Sequence, residues 1–183
     1  MQKHRTFQKL LIDQESHIIP VIVRNATIED IPVVANLERV IERENSASEP
    51  TLLARYRMFP EGFFIAEENY RIAGYAESCL WDKKEFKTFE EIREFPKHHD
   101  KNGKTLYVIF LAVDDSCRKR GIGSRLMGTC KEYAENHGLN NVQLVAREEL
   151  VGFYNDLGFK FVEELPDFLP HSAGVLMEYE TRR

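Results

Sequence analysis

The chain has 183 residues, a length that suits one domain, and at 43% hydrophobic and 30% charged its composition is globular rather than disordered. A net charge of −5 gives nothing that would draw the whole molecule to nucleic acid or to an anionic membrane, so any anion site must be local. Cys79, Cys117 and Cys130 are an odd number with no CxxC spacing, which argues against a disulfide framework and a metal site and for a reducing, cytoplasmic setting; no apolar run approaches the ~20 residues of a membrane span.

The first stretch, "MQKHRTFQKLLIDQESH", has basic residues but neither the apolar run and cleavage site of a secretory leader nor the freedom from acids of a transit peptide. Residues 6–17 could form a short helix, and residues 1–19 read as an extension of a single domain whose core runs from about 20 to 180. "VIVRNAT" (21–27) predicts a strand leading to Thr27, a helix N-cap with Asp30 three residues on and Pro32 in the first turns; Ile31, Val34, Ala35, Leu37 and Ile41 then keep helical spacing. A second helix is expected over 49–58, stopped by Pro60 and Gly62.

"GFFIAEE" and "RIAGYAESCLW", separated by a polar turn at Asn69, predict a hairpin. Residues 82–104 are charged, with Pro and Gly, and predict a long surface excursion. "TLYVIFLAV" (105–113) is the most apolar run and is expected to be a central strand buried on both faces. Ile122, Leu126, Cys130, Tyr133, Ala134 and His137 then share one helical face, closed by Gly138. A strand at 141–146, a short helix within 148–159 and two final strands complete the order β-α-α-β-β-β-α-β-α-β-β. This is an α/β domain with a parallel strand pair flanking the glycine-led helix.

Between that strand and that helix lies "VDDSCRKRGIGSRLM" (113–127). The first N–H groups of a helix lack intrahelical partners and its dipole favours negative charge, while Gly121 and Gly123 let backbone approach a ligand closely. Arg118, Lys119 and Arg120 add charge, so a diphosphate spanning two or three N–H groups fits. A P-loop would need GK[ST] after a four-residue gap, which is absent. A dinucleotide fingerprint needs a third glycine and a tighter turn than residues 114–120 allow.

The remaining form is [Q/R]xxGxG, met by Arg118, Gly121 and Gly123, and followed by "LVGFYNDLGF". Together these resemble the two signature blocks of the GNAT acetyltransferases, over roughly residues 20–180. The resemblance implies a central mixed sheet of about seven strands with a splayed parallel pair, a bulge in the strand before the motif, and acetyl-CoA as co-substrate without a metal. It places the pantetheine arm against the backbone of Leu111, Ala112 and Val113. It places the diphosphate on the N–H groups of Lys119, Arg120, Gly121, Ile122, Gly123 and Ser124, with Ser124 able to add its hydroxyl and the side chains of Lys119 and Arg120 as steering charge. Tyr154, in "FY..LGF", takes the place of the general acid that protonates the departing thiolate, and a backbone N–H near Val113 that of the oxyanion donor. A covalent route through Cys117, beside a helix N-terminus, is conceivable but is not the family's usual direct transfer.

Within the family, "CLWD" (79–82) and both blocks look most like the arylalkylamine N-acetyltransferases. That group's two strand histidines fall here at Tyr107 and Ile109, which leaves the acceptor and the general base open. Glu77, on the neighbouring strand, could take the proton directly or through water, and could equally be an ordinary strand residue. His98, His99 and His171 sit in loops, and Glu148, Glu149, Glu163, Glu164 and Asp167 form an acidic set that could attract a cationic amine. The expected partner is a small-molecule amine, with a monomer or homodimer and no nucleic acid. A protein N-terminal or lysine acetyltransferase and a non-catalytic acyl-CoA sensor are the alternatives.

Overall fold

The computed structural model describes residues 20–82, 97–169 and 172–182. The helix expected over 6–17, most of the excursion at 82–104 and His171 therefore lie outside the described residues. Seven strands form one sheet: β1 (Ile22–Asn25), β2 (Phe63–Glu68), β3 (Arg71–Trp81), β4 (Thr105–Val113), β5 (Asn141–Arg147), β6 (Lys160–Leu169) and β7 (Ser172–Glu180). Among the described residues the α-helices are α1 (Ile31–Glu42), α2 (Glu49–Met58), α3 (Ile122–Asn136) and α4 (Val151–Asp156). The order across the sheet is β1-β2-β3-β4-β5-β7-β6, and β4–β5 is its parallel pair. Element order and fold class follow the expectation from sequence. Among the described residues no helix is long and apolar enough to cross a membrane.

Each local element has a chemical cause. Pro32 sits in the first turn of α1, and the Asp30 carboxylate accepts the Thr27 N–H at 2.7 Å. Arg24 on β1 donates to Asp30 and to Glu67 on β2, which joins the edge strand to the helix start. The β2–β3 hairpin turns at Asn69 and Tyr70, both left-handed at φ 53° and 60°, as a two-residue turn matching the sheet twist requires.

The two faces of the sheet hold different cores. On one, α3 packs Ile122, Leu126, Cys130 and Ala134 against Ala76, Leu106, Val142, Leu144 and Ala146. On the other, α1 and α2 bury Ile31, Val34, Leu37 and Leu52 over Phe63, Ile65 and Tyr75. That second layer also buries charge. The Arg55 guanidinium of α2 meets Glu77 of β3 at 2.6 Å, and Glu38 of α1 accepts the Tyr75 hydroxyl at 2.8 Å and the Ala47 N–H.

β4 departs from the expectation of a strand buried on both faces. It is buried from Leu106 to Val108 and only half-buried from Ile109 to Leu111. The cause is a bulge: Glu77 pairs with Phe110 and Ser78 with Val108, so Ile109 is the extra residue of β4.

The Arg55–Glu77 pair ties α2 to the sheet, and losing one partner strands a buried charge. At about pH 8 we expect Arg55→Leu to cost roughly 3–5 kcal/mol in urea unfolding, and the double change Arg55→Leu, Glu77→Leu to recover most of it. An Arg55→Leu protein as stable as the parent would show that the pair holds nothing.

Candidate active site

Below the bulge, β4 and β5 pair only at Thr105–Asn141, Leu106–Val142 and Tyr107–Gln143. Beyond Tyr107 the strands part, leaving their facing backbone edges without a strand partner. β5 continues along β7 as far as Arg147–Gly174, so it cannot swing back to follow β4. The gap is a cleft of about 110 Å³ walled by Val108 to Leu111 of β4, Leu144 to Arg147 of β5, Leu150 at the start of α4, Tyr154 within it, and Glu42 at the end of α1. Of the residues expected to flank a pantetheine arm, Leu111 lines this cleft, while Ala112 turns into the α1–α2 core and Val113 packs towards α3.

The parted end of β4 leads into the glycine turn, where Gly123 lies against Val113 and against Phe153, the neighbour of Tyr154. Gly121 caps α3 from the left-handed region at φ 77°, where a side chain is strained, and the first helical bond runs from the Arg125 N–H to the Gly121 carbonyl at 3.0 Å. The N–H groups of residues 122–124 thus have no intrahelical acceptor and stand at the positive end of a 15-residue helix. Lys119 is also left-handed, at φ 60°, which bends the turn that presents them. Gly123 serves packing as well as approach, since a Cβ there would lie 3.3 Å from the Phe153 ring of α4.

Two of the three basic side chains of the turn are engaged by carboxylates. Arg118 folds back, with Nε 3.4 Å from the Val113 carbonyl and its guanidinium 2.8 Å from Asp115, so it closes the turn onto β4. Arg120 is held by Glu68 at the end of β2. Cys117, half-buried, has its Sγ 3.6 Å from the Ser116 hydroxyl and does not line the cleft.

Tyr154 reaches the cleft from α4 and is 6% exposed, its ring edge-on to Phe153 and Phe159 at centroid distances of 5.0 and 5.8 Å. Burial pushes its hydroxyl well above the ordinary phenol range, so at neutral pH it holds its proton. Tyr107 is buried against the Trp81 ring at 4.6 Å, while Ile109 sits on the bulge and lines the cleft. "CLWD" is therefore largely core, with Cys79 and Trp81 both buried.

Glu77 is 1% exposed, paired to Arg55 and outside the cleft lining, with its second oxygen buried and unpartnered. His99 accepts the Leu80 N–H at 3.3 Å and stacks near Phe59, at the opposite end of β4 from the glycine turn. The acidic residues Glu148, Glu149, Glu163, Glu164 and Asp167 are exposed. Two charged lining residues, Glu42 and Arg147, escaped sequence reading. Nothing in "VIEREN" or "LVAREEL" marks them, because they meet only when α1 crosses the end of β5.

Solved structures share this arrangement of a seven-stranded sheet, with its parallel pair splayed beside a glycine-capped helix, at the level of the fold. The chain is similar to the loading GNATL domain of CurA from Lyngbya majuscula (21% identical, covering 88% of this chain and 98% of that one, TM-score 0.77). It is similar to the GphF GNAT-like decarboxylase in complex with isobutyryl-CoA (21%, 88% and 100%, TM-score 0.75). It is also similar to yncA from Salmonella typhimurium, solved with its cofactor acetyl-CoA (14%, 90% and 95%, TM-score 0.69). No curated protein matches the chain. The sequence pattern of the acetyltransferase (GNAT) family matches residues 31–159, and the chain belongs to that family.

The position of Glu77 carries a pH signature. Burial, opposed by Arg55 and reinforced by Glu38, lifts its carboxyl from the ordinary 4.5 to about 7 in the folded protein. The folded state then holds this proton more tightly than the unfolded chain, so its contribution is complete below pH 4.5 and is lost as pH rises through about 7. The stability of the parent relative to Glu77→Gln should fall across that interval in urea melts at successive pH values. A difference that stays flat would place the carboxyl at its ordinary value.

Proposed function

We propose that the protein transfers the acetyl group of acetyl-CoA directly to the primary amine of a small molecule, at the cleft between β4 and β5. The observation that carries the reading is the combination of three things: strand edges without a strand partner, orphan N–H groups at Ile122–Ser124, and Tyr154 in the wall of the cleft. An extended amide-bearing arm would satisfy the strand edges much as a strand would, and the diphosphate would rest on the helix N–H groups of Ile122, Gly123 and Ser124. The half-exposed stretch Ile109–Leu111 of bulged β4 is the nearest source of a backbone donor for the oxyanion, a few residues before the Val113 position expected from sequence.

In the transfer, the neutral amine attacks the thioester carbon, the C–S bond breaks, and the departing thiolate takes the proton from Tyr154. A buried, protonated phenol is suited to that task. The ammonium first loses a proton to water to become the neutral nucleophile, and the second proton, released from nitrogen as the amide forms, returns through water to restore the Tyr154 phenol. Glu77 would have to act through intervening groups, since it does not line the cleft. The lining supports a small acceptor: the cleft holds only about 110 Å³ and carries one carboxylate, Glu42, to attract an ammonium. A panel of arylalkylamines, polyamines and peptides incubated with acetyl-CoA tests the acceptor class, and acetylation confined to peptides would overturn it.

Tyr154→Phe should lower turnover by about 10²-fold or more while leaving acetyl-CoA affinity near that of the parent. Parental turnover with chemistry rate-limiting would return Tyr154 to a packing role. Gly123→Val needs a partner variant, because the added carbons meet Phe153 as well as the ligand. Acetyl-CoA affinity should drop sharply in Gly123→Val and stay low in Gly123→Val, Phe153→Ala, where the ring has been removed. Recovery in the double variant would assign the loss to packing alone.

A further inference from the structure

Two charged side chains line the cleft among the described residues, and they belong to opposite signs and different elements. Glu42 is the last residue of α1, and Arg147 the last of β5. α1 ends there because Arg43 turns into the positive-φ region, at φ 52° and ψ −113°, which is costly for a residue with a side chain and is kept where surroundings dictate it.

Along β5, Val142, Leu144 and Ala146 face the α3 core. Strand alternation then sends Arg147 to the other face, where α1 lies, and its guanidinium meets the Glu42 carboxylate. Tyr154 packs with the α3 core. The cleft therefore runs through the sheet, with the glycine turn and Tyr154 on the α3 side and a cation–anion pair at the exit on the α1 side. A donor held from the α3 side meets its acceptor from the α1 side, past this pair.

The pair itself is loose. Its single contact is 3.5 Å, at the limit of a hydrogen bond, and Arg147 keeps 55% of its side chain exposed against 15% for Glu42. Such a half-solvated pair contributes little to stability and gives up its partners readily. Two of the three cations of the glycine turn are tied back, Arg118 by Asp115 and Arg120 by Glu68. Arg147 thus offers a guanidinium fork whose present partner holds it at one long contact, beside a carboxylate suited to an ammonium.

We propose that Arg147 and Glu42 select the acceptor as a zwitterion, an amine that also carries an anionic group. Arg147 takes the carboxylate or phosphate, and Glu42 draws in the ammonium before it loses its proton to become the nucleophile. This deepens the reading of the cleft as an amine-acetylating site and rests on it.

The test uses the full chain with acetyl-CoA and matched acceptors: 4-aminobutyrate against butylamine, and phosphoethanolamine against ethylamine, with rates referred to the neutral-amine fraction. The parent should favour the anionic member of at least one pair, and the pair that shows it identifies carboxylate or phosphate as the group read. Arg147→Gln should lower kcat/KM for that anionic acceptor by about 10- to 100-fold, the loss of a charge-assisted contact, while the neutral-tailed amine changes little, so that the preference collapses. Arg147→Lys should keep part of the preference, and acetyl-CoA affinity, measured on each variant, should not move. Equal use of both members of both pairs, or a preference that survives Arg147→Gln, overturns the proposal and leaves amine acetylation standing. Binding of acetyl-CoA with transfer to no small amine at all overturns both.

Discussion

The site depends on a hydrogen-bonding mismatch in the middle of the sheet. β5 cannot serve β4 and β7 along its whole length once Ile109 bulges, and it stays with β7 as far as Arg147. Three rungs of parallel pairing remain, and past Tyr107 both strands expose backbone groups that any folded protein must satisfy somehow. A ligand with alternating amide groups is one way to satisfy them. The cleft is thus less a hole in the packing than an interrupted ladder.

What surrounds the interruption keeps it open. On one face, α3 buries Leu126 and Cys130 in one core with Leu106 and Val108 of β4, and its glycine cap leaves the N–H groups of residues 122–124 without helical acceptors. On the other, α1 and α2 are locked to β3 by Arg55–Glu77 and Glu38–Tyr75, two contacts between groups that could not be left alone in a dry layer. Glu77 lies opposite the bulge, paired with Phe110, so the most tightly held part of β3 supports the irregular part of β4. Rigidity on β3 and irregularity on β4 are two sides of the same strand pair.

Much of this was legible in the residues. The hairpin at Asn69, the strand at 105–113, the glycine-led helix and the "FY..LGF" block stand where the sequence places them, because each depends on local chemistry: turn residues, apolar runs and caps. The splay was legible only through family resemblance, since nothing in "TLYVIFLAV" distinguishes a strand that loses its neighbour halfway from one buried throughout. The pairing of Glu77 with Arg55, and of Glu42 with Arg147, was not legible. Their sequence separations of 22 and 105 residues leave no periodic trace, and a glutamate on a strand or helix reads as solvent-facing until the opposite element is known.

The carboxylates that grip Arg118 and Arg120 bear on how the cofactor would arrive. "RKR" suggests a strongly positive turn, yet Asp115 and Glu68 offset two of its three charges, and the molecule as a whole is acidic. Little long-range field is left to pull a polyanion in from bulk solvent. The diphosphate would be recognised at contact, by fixed N–H dipoles whose strength mobile ions scarcely touch. Loading would then vary only weakly with ionic strength, in a buffer of about 0.01 M salt as at about 0.15 M, even though the Debye length shrinks about fourfold between them.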